Sequence, residues 1–209
     1  MAIIVDKVQK RKDIALSCKE IFFQNGINDL TISQIAKTAG VGKGTIYEYF
    51  KNKEDIIFEI VNILIQERNV LVKKRISEQK TTRDKIRQFS RFFYSDEDKD
   101  LRELYKEFIS ISLVNQDKEM KAFQTTCADT YLKWFESILK EGIDKKELKL
   151  GSEKLIKGMF AMTEGVFIKS IVTSSVEDIE KEILQFQDAI FDLIEEKKWL
   201  RSIPQELNI

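Results

Sequence analysis

Lys43, Gly44, Thr45, Tyr47, Tyr49 and Lys53 fall within an eleven-residue span, and Thr31 stands twelve residues ahead of Lys43. A lysine can donate to guanine O6 and N7, a threonine methyl can pack on a thymine methyl, and a glycine lets the backbone approach closely. Tyrosine hydroxyls, a charged lysine and free donors at helix N-termini suit phosphate oxygens. That chemistry is recognition of a polyanion with readable edges. Bond-making chemistry finds less support. The chain has no histidine, so the commonest general base and the commonest metal ligand are missing. No metal-ligand cluster, glycine-rich phosphate loop or nucleophile elbow stands in its place, and neither an enzyme nor a bound cofactor or metal is expected.

Three short helices must position these groups. Over residues 7–24, Ile14, Ala15, Cys18, Ile21 and Phe22 recur at helical spacing, and Asn25-Gly26 ends the run, with Gly26 as a left-handed cap. Thr31 opens a second helix with Gln34 three residues on, a capping-box pattern, and Ile35 and Ala36 face the first helix. Gly40 stops it. Only Val41 and Gly42 precede a third helix over residues 43–50, a link short enough to fix the two at a steep angle. Ile46 and Phe50 turn inward there. Lys43, Thr45, Tyr47 and Tyr49 are left outside or at the flanks, although either tyrosine could instead pack on the first helix. Residues 30–54 thus have the layout of a helix-turn-helix whose second helix can enter a DNA groove, with Gly42 at a cap where Ser is the better residue.

Composition fits an all-α protein, since 33% of the 209 residues are charged while Gly and Pro number eight and one. The formal charge is zero overall but unevenly spread: nine Lys/Arg against five Asp/Glu leave residues 1–53 at +4, and the remainder at −4. A basic module joined to an acidic body is the electrostatic pattern expected of a DNA-facing head. The run Lys10-Arg11-Lys12 is either a solvated face or a source of extra backbone affinity. Cys18 and Cys127, far apart on apolar faces, read as free buried thiols. The first twelve residues lack a secretory pattern, and the longest apolar runs are broken by Glu, Asn or Lys, so a cytoplasmic protein is expected.

Beyond residue 53 the periodicity predicts further helices. A long one starts after the cap Asn52 and reaches about residue 79, with Ile56, Ile60, Ile63, Leu64, Val70 and Leu71 on its apolar side. Thr81 or Thr82 caps the next, which bears Ile86, Phe89, Phe92 and Phe93. Helices over about 101–114 and 118–141 follow, the latter stopping at Gly142, and two long ones cover about 153–173 and 176–199 before a tail at Ser202-Ile203-Pro204. About nine helices result. The apolar faces of the last two are wider than one chain needs, which suggests pairing between two copies or, alternatively, closure of the chain's own core.

Phe22 and Gly26, Thr31, Ile35-Ala36, Ala39-Gly40-Val41, Gly44-Thr45-Ile46-Tyr47, Tyr49-Phe50 and Lys53-Glu54 together resemble the N-terminal domain of TetR-type transcriptional regulators. The match is dense and in order over about a quarter of the chain, and the rest is similar in architecture only. The resemblance implies a DNA-binding domain over residues 1–53 and an effector-binding and dimerisation domain over 54–209. It puts Lys43, Gly44 and Thr45 near base edges and gives Thr31, Tyr47, Tyr49 and Lys53 to phosphates. It further implies a homodimeric repressor, paired through the two C-terminal helices, that leaves a palindromic operator when a small apolar or amphipathic effector binds. Candidate effector contacts are Phe89, Phe92, Phe93, Phe108, Phe123, Tyr131, Trp134 and Glu164. Ordinary core packing is the alternative for the aromatics, and control by a protein partner, or no effector, is the alternative for the mechanism.

Overall fold

The structure, a computed structural model, describes residues 6–26, 29–115 and 118–196. Among them lie ten α-helical segments: α1 (Lys7–Ser17), α2 (Lys19–Asn25), α3 (Ile32–Thr38), α4 (Lys43–Tyr49), α5 (Lys53–Ser77), α6 (Thr82–Ser90), α7 (Lys99–Asn115), α8 (Lys118–Asp144), α9 (Ile156–Val172) and α10 (Ile179–Ile194). Helices α1 and α2 are one helix interrupted at Cys18, which gives the expected nine. Among the described residues the only β feature is an isolated bridge between Leu148 and Glu195. No described helix is long and apolar enough to cross a membrane. The last helix starts at Ile179 and ends at Ile194, with Glu195 already extended, and so is shorter at both ends than the expected 176–199; the start of the chain and the tail lie outside the described residues.

The chain divides into two compact units, and α5 and α8 each run from one into the other. The first comprises the chain up to Leu71 together with Glu97–Thr125. Its core joins Ile14, Ala15, Cys18 and Phe22 of the first helix pair to Ile35, Ile46 and Phe50, and to Ile56, Ile57 and Ile60 of α5; Leu104 and Phe108 of α7 complete it. Full burial of each large side chain is worth about 1.5–3 kcal/mol. The core of the three-helix head is continuous with residues of α5 and α7. A buried ion pair also lies in this unit, Arg68 Nε donating to Asp98 Oδ1 at 2.8 Å with both side chains 7% exposed. Asp98 belongs to the polar stretch 95–100, whose composition reads as solvated loop; here it is a single 3-10 turn (Asp96–Asp98) tied to α5.

The second unit comprises Val72–Asp96 and the chain from Thr126 onward. Val72, Ile76, Ile86, Phe89, Phe135, Leu139, Met159, Phe191 and Ile194 form its core. Thr81 caps α6 by accepting from the Asp84 N–H. Phe92 and Phe93 lie not in α6 but in the 3-10 turn that follows it (Arg91–Phe93).

Three expectations change. Val70 and Leu71 are 69% and 56% exposed, while Val72 and Ile76 are buried, because the buried stripe of α5 moves round the helix as the chain leaves the first unit. Gly142 does not stop α8, which continues to Asp144. A Cβ there would lie 2.4 Å from Thr82 Oγ1, so this glycine is needed for close helix approach. Gly26 has positive φ (74°) but ψ of 173°, an extended conformation open to glycine rather than a left-handed helical cap.

Candidate nucleic-acid interface

Local chemistry builds the α3–α4 pair. At the start of α3 the Thr31 N–H donates to Gln34 Oε1 (2.9 Å) while Thr31 Oγ1 accepts from the Gln34 N–H (3.3 Å), so the capping box is complete. At its other end Gly40 takes φ of 65°, and the Val41 N–H reaches back to the Ala36 carbonyl at 3.0 Å. Gly42 then serves as an extended N-cap for α4 with no side-chain bond. Ile46 and Phe50, 0% and 2% exposed, anchor α4 against the core. Anchoring that side decides what the other presents: Lys43, Gly44, Tyr47 and Glu48 are exposed, Tyr47 to 60%, whereas Thr45 and Tyr49 are half-buried at the flanks.

Behind α4 lies a group that composition alone files under the basic run. The Arg11 guanidinium turns inward, donating from Nη2 to Asp55 Oδ1 and from Nε to Glu59 Oε2, both at 2.8 Å, and from Nη1 to the Tyr49 carbonyl. It also stacks over the Phe50 ring at 4.3 Å. Asp55 in turn accepts from the Lys51 N–H (3.0 Å), and Asn52 caps α5 by accepting from the Asp55 N–H (2.8 Å). Burial pushes the Asp55 carboxyl up, but the Arg11 and Lys51 bonds outweigh it and hold the group below the usual carboxylate range. The α4–α5 junction is therefore fixed by one cation and two acids. In sequence, the signal was the i, i+4 acid pair Asp55 and Glu59 on the helix after the reading head.

The other DNA-contact candidates are placed as follows. Thr31 is exposed at the start of α3. Lys53 opens α5, half-buried, with Nζ 3.4 Å from the Leu30 carbonyl. Tyr49 packs in part against the core of the first unit. Lys10 and Lys12 remain half-exposed beside the inward Arg11.

The effector candidates do not form one group. In the first unit Phe108 and Phe123 pack with Phe58, the last two rings stacked at 4.7 Å. In the second, Phe89 meets Tyr131 and Trp134 edge-on at 6.4 and 4.8 Å. Phe92 and Phe93 pack together there, and Phe93 also meets Phe167. Glu164 is half-buried on α9. An open cleft of about 320 Å³ in the second unit is lined by Ile143, Lys146, Leu148, Leu150 and Glu196, none of them a candidate contact. Among the described residues no group of His, Cys, Asp and Glu could hold a metal ion.

A capped helix, a glycine turn and a second helix whose outer face carries Lys43, Tyr47 and Glu48, fastened to a long following helix, define a helix-turn-helix DNA-binding regulator. Residues 18–60 match the family described as bacterial regulatory proteins, tetR family. The N-terminal domain of this chain is that of the TetR family of transcriptional regulators. It is 26% identical over 190 residues to the fatty acid metabolism regulator protein of Bacillus subtilis (strain 168), spanning 90% of this chain and 95% of that one. Among solved structures, a TetR-family regulator from Cytophaga hutchinsonii superposes with a TM-score of 0.73 at 17% identity, over 94% of this chain and 100% of that chain. The transcriptional regulator FadR from Bacillus subtilis in complex with stearoyl-CoA gives 0.57 at 24% identity, over 87% of this chain and 95% of that one. These relatives are all transcriptional regulators.

Proposed function

We propose that this regulator is a homodimeric repressor that leaves a palindromic operator when an amphipathic acyl compound binds. The observation that carries the DNA reading is the outer face of α4, on which Lys43, Gly44 and Tyr47 stand clear of the core that anchors Ile46. Lys43, Gly44 and Thr45 meet base edges in this reading, and Thr31, Tyr47, Tyr49 and Lys53 hold phosphates. Residues 1–53 form the reading module and 54–209 the control module. The acyl class is supported by likeness to a fatty acid metabolism regulator over nearly the whole chain and to a structure holding stearoyl-CoA.

Pairing of two copies through α9 and α10 is supported by Ile168, Ile171 and Val172 on α9 and Leu193 on α10, all exposed in the single chain. Coupling runs through α5, a continuous 25-residue helix whose first turn is clamped to the head by Arg11 and whose far end belongs to the second unit. An effector releases the operator only to the extent that it binds the released form more tightly. Phe89, Phe92, Phe93, Phe108, Phe123, Tyr131, Trp134 and Glu164 stay the proposed contacts. A second reading, control by a protein partner or by no ligand, draws on the close ring packing within each unit. The deciding experiment is operator footprinting followed by titration with acyl-CoA. Release at micromolar acyl-CoA supports the first reading, and stable occupancy with no thermal shift supports the second.

A further inference from the structure

We infer that Glu48 is a specificity-determining residue, its carboxylate accepting from the exocyclic amine of a cytosine in the major groove; the inference rests on α4 being the reading helix. Lys43 and Glu48, five residues apart, stand about 140° apart round the helix. Tyr47 and Gly44 lie between them, so the outer face is bounded by a cation on one side and an anion on the other. Glu48 is exposed, and among the described residues its carboxylate enters no hydrogen bond or ion pair. Lys51, three residues on, does not neutralise it either.

Gly44 sits one turn before Glu48 on the same stripe, and a Cβ built there would meet nothing within 4 Å. The stripe is therefore low, and nothing beside Glu48 on that side separates it from a base edge. An unpaired carboxylate on a DNA-facing surface is repelled by phosphates at every sequence. It gains only where a base offers a donor, and cytosine N4 is the major-groove donor that an acid accepts from. Glu48 thus weakens contact with unmatched DNA and restores it at matched sites.

The test is selection from a random duplex library by the full-length protein, repeated with Glu48→Gln and Glu48→Ala, followed by competition titrations on the selected site. The unaltered protein selects a palindrome holding one invariant cytosine per half-site opposite α4. Glu48→Ala loses preference there by roughly 5- to 100-fold and binds unrelated DNA more tightly than the parent. Glu48→Gln shifts the preference toward adenine, whose N6 and N7 suit an amide. If the parent selects a sequence and both variants select the same one with the same discrimination, Glu48 is not a reader. If the parent selects nothing, the DNA reading of α4 itself fails, and the inference with it.

Discussion

Arg11 meets two carboxylates, a peptide carbonyl and an aromatic ring, and each partner belongs to the α4–α5 junction. Because the pairs are roughly a quarter exposed, solvent screens them in part; the fork geometry and the satisfied carbonyl still make Arg11→Ala cost about 1–3 kcal/mol in chemical denaturation. Arg11→Lys recovers less than half of that, since an ammonium cannot hold Asp55 and Glu59 together. The sign of the pH dependence follows from Asp55, whose folded pKa is depressed. Its contribution is present above the unfolded value of about 3.9 and is lost as pH falls through the folded one. The stability gap between the parent and Asp55→Asn is therefore full at pH 7 and narrows below about pH 4. On the outer face, Lys43→Ala is expected to cost about 1–3 kcal/mol and to relax preference at one base position per half-site, whereas Lys53→Ala is expected to weaken binding to all sequences and lower the salt slope by about 1, and Tyr47→Phe to weaken binding to all sequences with the slope unchanged. Gel-shift titrations over a salt series separate the two behaviours.

At the level of elements, the second unit turns on how closely α6 and α8 approach. The Glu147 carboxylate accepts from both the Thr82 N–H (2.9 Å) and the Thr82 hydroxyl (2.7 Å), capping α6 from the segment after α8. Gly142 leaves room for that Thr82 side chain. Gly142→Ala gains helix propensity, worth about 1 kcal/mol in an open helix, but forces the hydroxyl off its acceptor. Overpacking, at about 1–3 kcal/mol, decides the sign. The variant is expected to melt lower than the parent in a thermal scan. In the first unit the Arg68–Asp98 pair ties α5 to the turn before α7. Asp98→Ala removes the carboxylate that accepts from the buried Arg68 Nε and is expected to cost about 3–5 kcal/mol.

For the whole molecule, assembly and control govern function. The apolar residues left open on α9 and α10 include Val172 at 70% and Leu193 at 68% exposure. Placing a charge among them, as in Val172→Glu, is expected to yield a monomer in sedimentation. Its operator affinity falls to that of a single half-site, with the helical content of each unit retained. On the proposed acyl reading, acyl-CoA at about 100 times its dissociation constant is expected to raise the stability of the protein by about 2.7 kcal/mol, read as an upward thermal shift. The chain passes between the two units at three places, within α5, after Asp96 and within α8.

The reading head was legible in the sequence because its determinants are local: the Thr31–Gln34 box, Gly40, and the spacing of Ile46 and Phe50 act within a few residues of one another. Thr81 and Asn52 were legible as caps for the same reason. The helical class followed from composition and periodicity. Tertiary structure alone decided the rest. Arg11 and its neighbour Lys12 carry the same charge, and only contact with acids some 44 residues away sets them apart. Asp98 lies in a stretch polar enough to be loop, and its burial depends on Arg68, 30 residues distant. Gly142 looks like a stop until Thr82 is placed against it. The aromatic stripes specify that rings are buried but not which rings meet, so Phe108 and Phe123 fall in one unit and Phe89, Tyr131 and Trp134 in the other. Caps and turns are set by neighbours in the chain, while pairing of buried charges, close approaches and ring packing are set by segments that meet only on folding.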